Sequence, residues 1–330
     1  MSYYIGCDLG GTNMRAAIVN SESGAVSNLE IVPTLGREGP DGVLPRMVNL
    51  FATIIGKAKL SMAEVQGIGI GFPGMIDTER GITRFITNLP GHWIDVPAAA
   101  FIEKETGIPT FLLNDVRAIT WGEMIFGAGK GCSSMVMYAL GTGVGGGIVI
   151  NGELLLGNSG QAGELGHITV DPVGPLCNCG NRGCLEQYSS GPAIVAAALK
   201  AIAHGGTTIL GELVEYDMNK MTPEIVAKAA LAGDKNAKNI FEQAGIHLGI
   251  AIADSLVHIE PERVVIGGGI SRAGELILEP VRRTVRERVF LIPLNKVQIT
   301  LSELGNDAGV IGTSMWAAHQ INKLRKKADG

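Results

Sequence analysis

One imidazole and three thiols lie close together in this chain: His167, Cys177, Cys179 and Cys184. Three of the five cysteines fall within eight residues, which suits a metal site better than a disulfide framework or incidental core thiols. A Cys₃His set closes a tetrahedron around zinc, although Cys-x-Cys is tighter than the usual spacing. Four protein ligands leave no open position for water, so such a metal is structural and its task is positional. Glu164 stands three residues before His167, and Glu186 two after Cys184, so ordering the metal loop orients two carboxylates. Cys7 reads as a core-strand residue and Cys132 as a loop thiol.

A second group is made of glycines. Gly141-Thr142-Gly143-Val144-Gly145-Gly146-Gly147 follows an apolar strand, Ser134–Leu140, and reads as a turn before a returning strand at Ile148–Ile150. Backbone N–H groups without side chains in the way can approach phosphate oxygens. The run matches the dinucleotide fingerprint formally, but that fingerprint must open a helix, so hydride transfer is set aside. Gly127-Ala128-Gly129-Lys130-Gly131 resembles a P-loop only superficially, because Gly131 stands where Ser or Thr should hold Mg²⁺. Gly10-Gly11-Thr12 occupies the same place after the first strand, Tyr3–Cys7.

Two aspartates end apolar strands. Asp8 follows the first strand, and Asp115 follows Thr110–Leu113 and Asn114. The end of a strand in an open α/β sheet is where ligand-binding groups are presented. Asp115 can be a general base or a helix N-cap, and its residue type leaves the two equal.

The elements that carry these residues repeat. Leu9-Gly10-Gly11-Thr12 matches Leu140-Gly141-Thr142-Gly143, and Gly67–Gly74 matches Val264–Ser271, each an apolar strand running into a glycine turn. Helical spacing marks Asp41–Lys57, Pro97–Thr106, Val116–Phe126, Pro192–His204, Pro223–Ala232, Asn236–Val257, Gly274–Phe290 and Ala308–Lys327. The chain reads as a duplicated α/β unit with two glycine hairpins. Trp93 reads as packing, and His92, His204, His247, His258 and His319 lack ligand spacing.

Composition bounds the rest. The 330 residues suggest two domains, and 46% hydrophobic content supplies a large core. Glycine, at 47 residues, is about twice its usual ~7% share. A net charge of −5 argues against a surface that coats nucleic acid, and no unbroken apolar run approaches a membrane span. Lys323, Arg325, Lys326 and Lys327 end the last helix, where positive charge is favoured. With Met1–Asp8 entering a strand directly, a cytoplasmic protein is expected, with no membrane or nucleic-acid partner.

Asp8-x-Gly10-Gly11-Thr12-x-x-Arg15, Asn114-Asp115, Gly141-Thr142-Gly143-x-Gly145-Gly146-Gly147, Glu164-x-Gly166-His167 and Cys177-x-Cys179-Gly180-x-x-Gly183-Cys184-x-Glu186 together resemble the ROK family of repressors, open reading frames and sugar kinases. The resemblance runs from Tyr4 to the last helix and is strongest to the family's glucose kinases. It implies an α/β protein of the actin/hexokinase-like ATPase fold, with two ribonuclease-H-like lobes around a cleft. The lobes are expected at 1-113 plus 307-330 and at 114-306, the latter with the zinc-binding loop. The final helix is expected to cross back to the first lobe.

The resemblance also assigns roles. Asp115 becomes the base, and Gly74, Asn88, Asn114, Glu164, His167 and Glu186 surround the sugar. Asp8 organises the Mg²⁺ that accompanies ATP, through water. Gly10, Gly11, Thr12 and Arg15 face the phosphates, as do Gly141, Thr142, Gly143 and Gly145, while Gly268 and Gly269 approach adenosine. Val116-Arg117 depart from the Ala-Asn of many relatives, a change expected to touch pocket detail rather than activity. The implied reaction is ATP-dependent phosphorylation of glucose to glucose 6-phosphate by a homodimer or homotetramer. N-acetylmannosamine, N-acetylglucosamine or another hexose is the alternative substrate. A sugar-responsive repressor would need a helix-turn-helix before Asp8, where seven residues stand. A chaperone- or actin-like ATPase would have no use for Glu164, His167 and Glu186.

Overall fold

The computed structural model describes residues 2–86 and 89–328. Its chain divides into two units, the first made of 1–131, 153–162 and 303–330, the second of 132–152 and 163–302.

In the first unit, strand β1 (Tyr3–Leu9) is buried on both faces over Tyr4–Cys7, where its residues are apolar. Its partners are β2 (Asn13–Asn20), β3 (Val26–Pro33), β4 (Val65–Phe72) and β7 (Thr110–Asn114), in the order β3-β2-β1-β4-β7. β2 returns antiparallel to β1, whereas β1, β4 and β7 are parallel. Parallel strands end at the same edge, so Asp8, Gly71 and Asn114 are delivered to one side of the sheet. The hairpin of β5 (Met75–Asp77) and β6 (Ile82–Phe85) follows β4. Helices α1 (Gly39–Ala58) and α2 (Ala98–Thr106) turn Leu44, Met47, Phe51, Ile54 and Ile102 into one core with Ile5, Ile68 and Leu112.

The other face is covered by α3 (Asp115–Phe126) and the final helix α10 (Ala308–Ala328). α10 lies against the sheet where Gly6 and Gly69 offer no side chain: a Cβ at either would collide with the carbonyl of Val310 or Thr313. α3 and α10 approach each other in the same way, with Gly312 against the carbonyl of Ala118. Much of the glycine excess is therefore spent on backbone packing. This contact also places residues 114–131 in the first unit, which extends it beyond the boundary expected at 113, and the chain rejoins it at 303 rather than 307. The short β10 (Glu153–Leu154) and the loop after it, to Ala162, also belong here.

The second unit repeats the plan. Strands β8 (Met135–Leu140), β9 (Val144–Ile150), β11 (Arg263–Gly267) and β12 (Gln298–Leu301) are ordered β9-β8-β11-β12, with β9 antiparallel to β8 and the others parallel. β8 thus corresponds to β1 and β11 to β4, as the repeated glycine turns imply. Six helices complete this unit: α4 (Glu186–Ser189), α5 (Gly191–Ala203), α6 (Leu210–Leu213), α7 (Pro223–Leu231), α8 (Lys235–Ile259) and α9 (Glu275–Arg288). α8 is long and apolar enough to cross a membrane by composition, but Leu248, Ala251, Ile252 and Leu256 bury it in this unit's own core.

Candidate active site

In the first unit the chemistry gathers at the shared edge of β1, β4 and β7. Asp8 is paired in register with Gly71, and Phe72 with Asn114. An added Cβ on Gly71 would stand 3.2 Å from the Thr313 side chain and 3.5 Å from the Asp115 backbone, so glycine lets the start of α3 lie close to β4. Burial, and then the negative charge of Asp8, push the Asp115 carboxyl up to about 6. The Val116 N–H and the Arg117 guanidinium oppose that shift. Burial also raises Asp8, against the pull of Arg15.

The N-cap position beside Asp115 is taken by its neighbour. Asn114 is the N-cap of α3, its Oδ1 accepting from Val116 N (3.1 Å) and Arg117 N (3.2 Å). Asp115 is the first helical residue, and its own Oδ1 also accepts the Val116 N–H at 2.9 Å. Asn114 Nδ2 also donates to the Gly74 carbonyl at 3.2 Å. That fixes the turn after β4, where Gly74 has φ 95° and a side chain would collide with Phe85. Asn114 thus acts first as a brace for Gly74. Asn88 lies outside the described residues. Trp93 is buried and meets Phe72 edge-on at 5.9 Å, consistent with a packing role.

The Gly10–Thr12 turn is held open from behind. Thr34 donates its hydroxyl to the Gly10 carbonyl (2.6 Å) and its N–H to that of Thr12 (2.8 Å), while Gly11 and Thr12 stay exposed. Arg15 donates to the Asn306 carbonyl (2.5 Å) and pairs with Asp307 (3.0 Å).

In the second unit the glycine run is shorter as a turn than its sequence implies. β9 begins at Val144, and Gly145, Gly146 and Gly147 pair with Ala139, Tyr138 and Met137. Gly145 is therefore a strand residue. A Cβ on Gly146 would lie 2.6 Å from the Gly163 carbonyl and from Leu165, and one on Gly166 would collide with Val144. These glycines seat the segment that carries Glu164. Gly141, Thr142 and Gly143 remain the turn, Thr142 exposed at its tip. Glu186 Oε2 accepts the Val144 N–H at 2.9 Å, so this carboxylate braces the turn. The exposed Gly268 and Gly269 continue from β11 beside the end of β8, Gly268 at φ 83° because a side chain would strike Leu140.

His167, Cys177, Cys179 and Cys184 do converge, their donor atoms all within 4.8 Å of one another. Cys177 Sγ is 3.7 Å from His167 Nδ1, and Cys179 Sγ 3.6 Å from Cys184 Sγ. Zn–S bonds of about 2.3 Å place tetrahedral donors about 3.8 Å apart, so the set fits zinc. Cys184 and Cys177 are buried, and Cys179 closes the site from the outside. Short backbone bonds, such as Cys177 N to Asn181 O at 2.7 Å, shape the loop.

Two further charged residues are buried, which nothing in their residue types announces. Glu123 is fully buried and accepts the N–H groups of Ala128, Glu303 and Leu304 at 2.9–3.1 Å. Arg117 is buried too, and Nε donates to the Ala162 carbonyl at 2.9 Å.

The ROK family model matches residues 4–320. The chain belongs to the ROK family. It is 35% identical over 326 residues to a glucokinase of Halalkalibacterium halodurans, covering 98% of this chain and 97% of that one. It is 38% identical over 314 residues to a glucokinase of Thermotoga maritima, with 94% and 95% covered. Among solved structures, a ROK glucokinase from Streptomyces griseus in complex with glucose and AMPPNP superposes with a TM-score of 0.78 at 32% identity, covering 96% of this chain and all of the other. The two repeated sheets of this ROK protein are those of the actin/hexokinase-like ATPase fold, as the sequence motifs imply.

Proposed function

We propose that this ROK protein transfers the γ-phosphoryl group of ATP to the 6-hydroxyl of glucose, releasing ADP and glucose 6-phosphate. The observation that carries the reading is Asp115, which follows the N-cap Asn114 at the strand ends and is poised at about 6 by burial and the charge of Asp8. A base with that pKa is mostly ionised at neutral pH yet basic enough to take a proton as the sugar oxygen attacks. The oxygen–phosphorus bond forms while the bond from phosphorus to the ADP oxygen breaks, and the hydroxyl proton goes to Asp115.

The other residues bind and orient. Gly74, braced by Asn114, and Glu164, His167 and Glu186 are the sugar-side groups. The exposed turns at Gly10–Thr12 and Gly141–Gly143 offer N–H groups to phosphate oxygens. Gly268 and Gly269 leave room for adenosine. Asp8 supplies hard carboxylate oxygen for a Mg²⁺ that neutralises phosphate charge, and its half-buried position suits contact through water. The Cys₃His set holds a structural zinc that fixes His167 and the start of α4 at Glu186.

An ATP-coupled assay over glucose, mannose, N-acetylglucosamine and N-acetylmannosamine tests this reading. Glucose is expected to give the highest kcat/KM. A clear preference for an N-acetylated sugar would move the substrate while keeping the kinase, and no turnover of any hexose would overturn the function.

A further inference from the structure

Arg117 has no role in the reaction as described, yet it is only 1% exposed and lies two residues after Asp115. A buried guanidinium is costly to keep without partners. Its Nε donates to the carbonyl of Ala162, the last residue of a loop closed by the Ala162 N–H on the Leu156 carbonyl at 3.0 Å. Gly157 and Gly160, at φ 71° and 78°, turn this loop. Gly160 also passes so close to the Ile76 carbonyl that a Cβ would stand 2.9 Å from it. The loop therefore rests on α3 and on β5 within the first unit. The next residues along the chain are Gly163 and Glu164.

We propose that Arg117 is a positioning residue that fastens the Leu156–Ala162 loop to the helix carrying the base, and thereby sets the run of chain into the sugar-side Glu164. The inference rests on the sugar-kinase reading above. Its charge has a second consequence. Asp8 from β1 and Arg117 from α3 are the charged groups acting on Asp115, and Arg15 from β2 acts on Asp8. Removing the Arg117 charge takes away an influence that lowers the Asp115 pKa, so the base is lost at higher pH.

Arg117→Met and Arg117→Lys, each compared with the wild type, test this. Arg117→Met is expected to raise KM for glucose about tenfold or more, because the loop leading into Glu164 loses its charge-assisted anchor. Its kcat well above pH 7 should change far less, and the acid limb of its pH profile should move upward. Arg117→Lys keeps the charge but not the Nε geometry, so its acid limb should stay near wild type while KM still rises. Amide hydrogen exchange over 156–163 should accelerate in both variants without any substrate. Wild-type KM, acid limb and exchange in a folded Arg117→Met would overturn the proposal. If that variant does not fold, unchanged KM and exchange in Arg117→Lys would do so. A wild type that phosphorylates no hexose would instead sink the kinase reading, and the exchange measurement would still decide the anchoring of the loop.

Discussion

Asp8 and Asp115 stand at one end of the parallel strands β1, β4 and β7, with Gly71 of β4 facing the Asp115 backbone, and the charge of Asp8 helps hold Asp115 near a pKa of about 6. The pair links fold to chemistry. Parallel pairing brings the strand ends together, glycine keeps the space between them narrow, and burial tunes the acid.

A pH dependence follows from that shift. kcat should fall as pH drops through about 6, because the base becomes protonated. Asp8→Asn removes the neighbouring negative charge, so the acid limb of its residual activity should move to lower pH. A pH–rate profile of both proteins checks this, and an unmoved limb in Asp8→Asn would separate the two groups.

Stability should carry the opposite sign. The Asp115 pKa is raised from 3.8 to about 6 on folding, so the stability it lends is present in full below about 4 and lost as pH rises through about 6. At neutral pH its charged form works against the fold. Asp115→Asn should therefore melt higher than wild type at pH 7.5, and that advantage should vanish near pH 4. Thermal melts at the two pH values measure it.

The zinc site gives a third expectation. Metal analysis of active protein should find one zinc per chain, and Cys184→Ser should lose both the metal and most glucose affinity. Active protein with no zinc would remove the metal from the account.

Glu123 tests the fold alone. Three backbone N–H groups from two separate stretches converge on its carboxylate, so Glu123→Ala leaves buried donors unsatisfied. A loss of about 3 kcal/mol or more is expected in denaturant unfolding, since each stranded group costs about 1–3 kcal/mol.

The glycine hairpin shows where sequence stopped being a guide. The run from Gly141 to Gly147 reads as one phosphate turn, but pairing of Gly145–Gly147 with Met137–Ala139 makes half of it strand. Gly146 among them answers to Gly163 and Leu165, residues whose approach depends on tertiary packing. Gly146→Ala is thus expected to lower Tm and glucose affinity more than ATP affinity, which isothermal titration can resolve. The repeat, the strand-end aspartates and the Cys₃His cluster were legible because spacing and residue type alone define them. The fold contacts of Arg15, Glu123 and Arg117 were not, because a charged side chain declares nothing about what it meets in the fold.

One substitution tests Asp115 as the base most directly. Asp115→Asn keeps the size of the side chain and leaves the Asn114 cap in place, so the protein should fold and bind glucose much as before. A positioned base contributes about 10²–10⁴-fold, so kcat should fall by at least about two decades, with a much smaller change in KM. Turnover near that of the wild type in a folded Asp115→Asn protein would contradict the account.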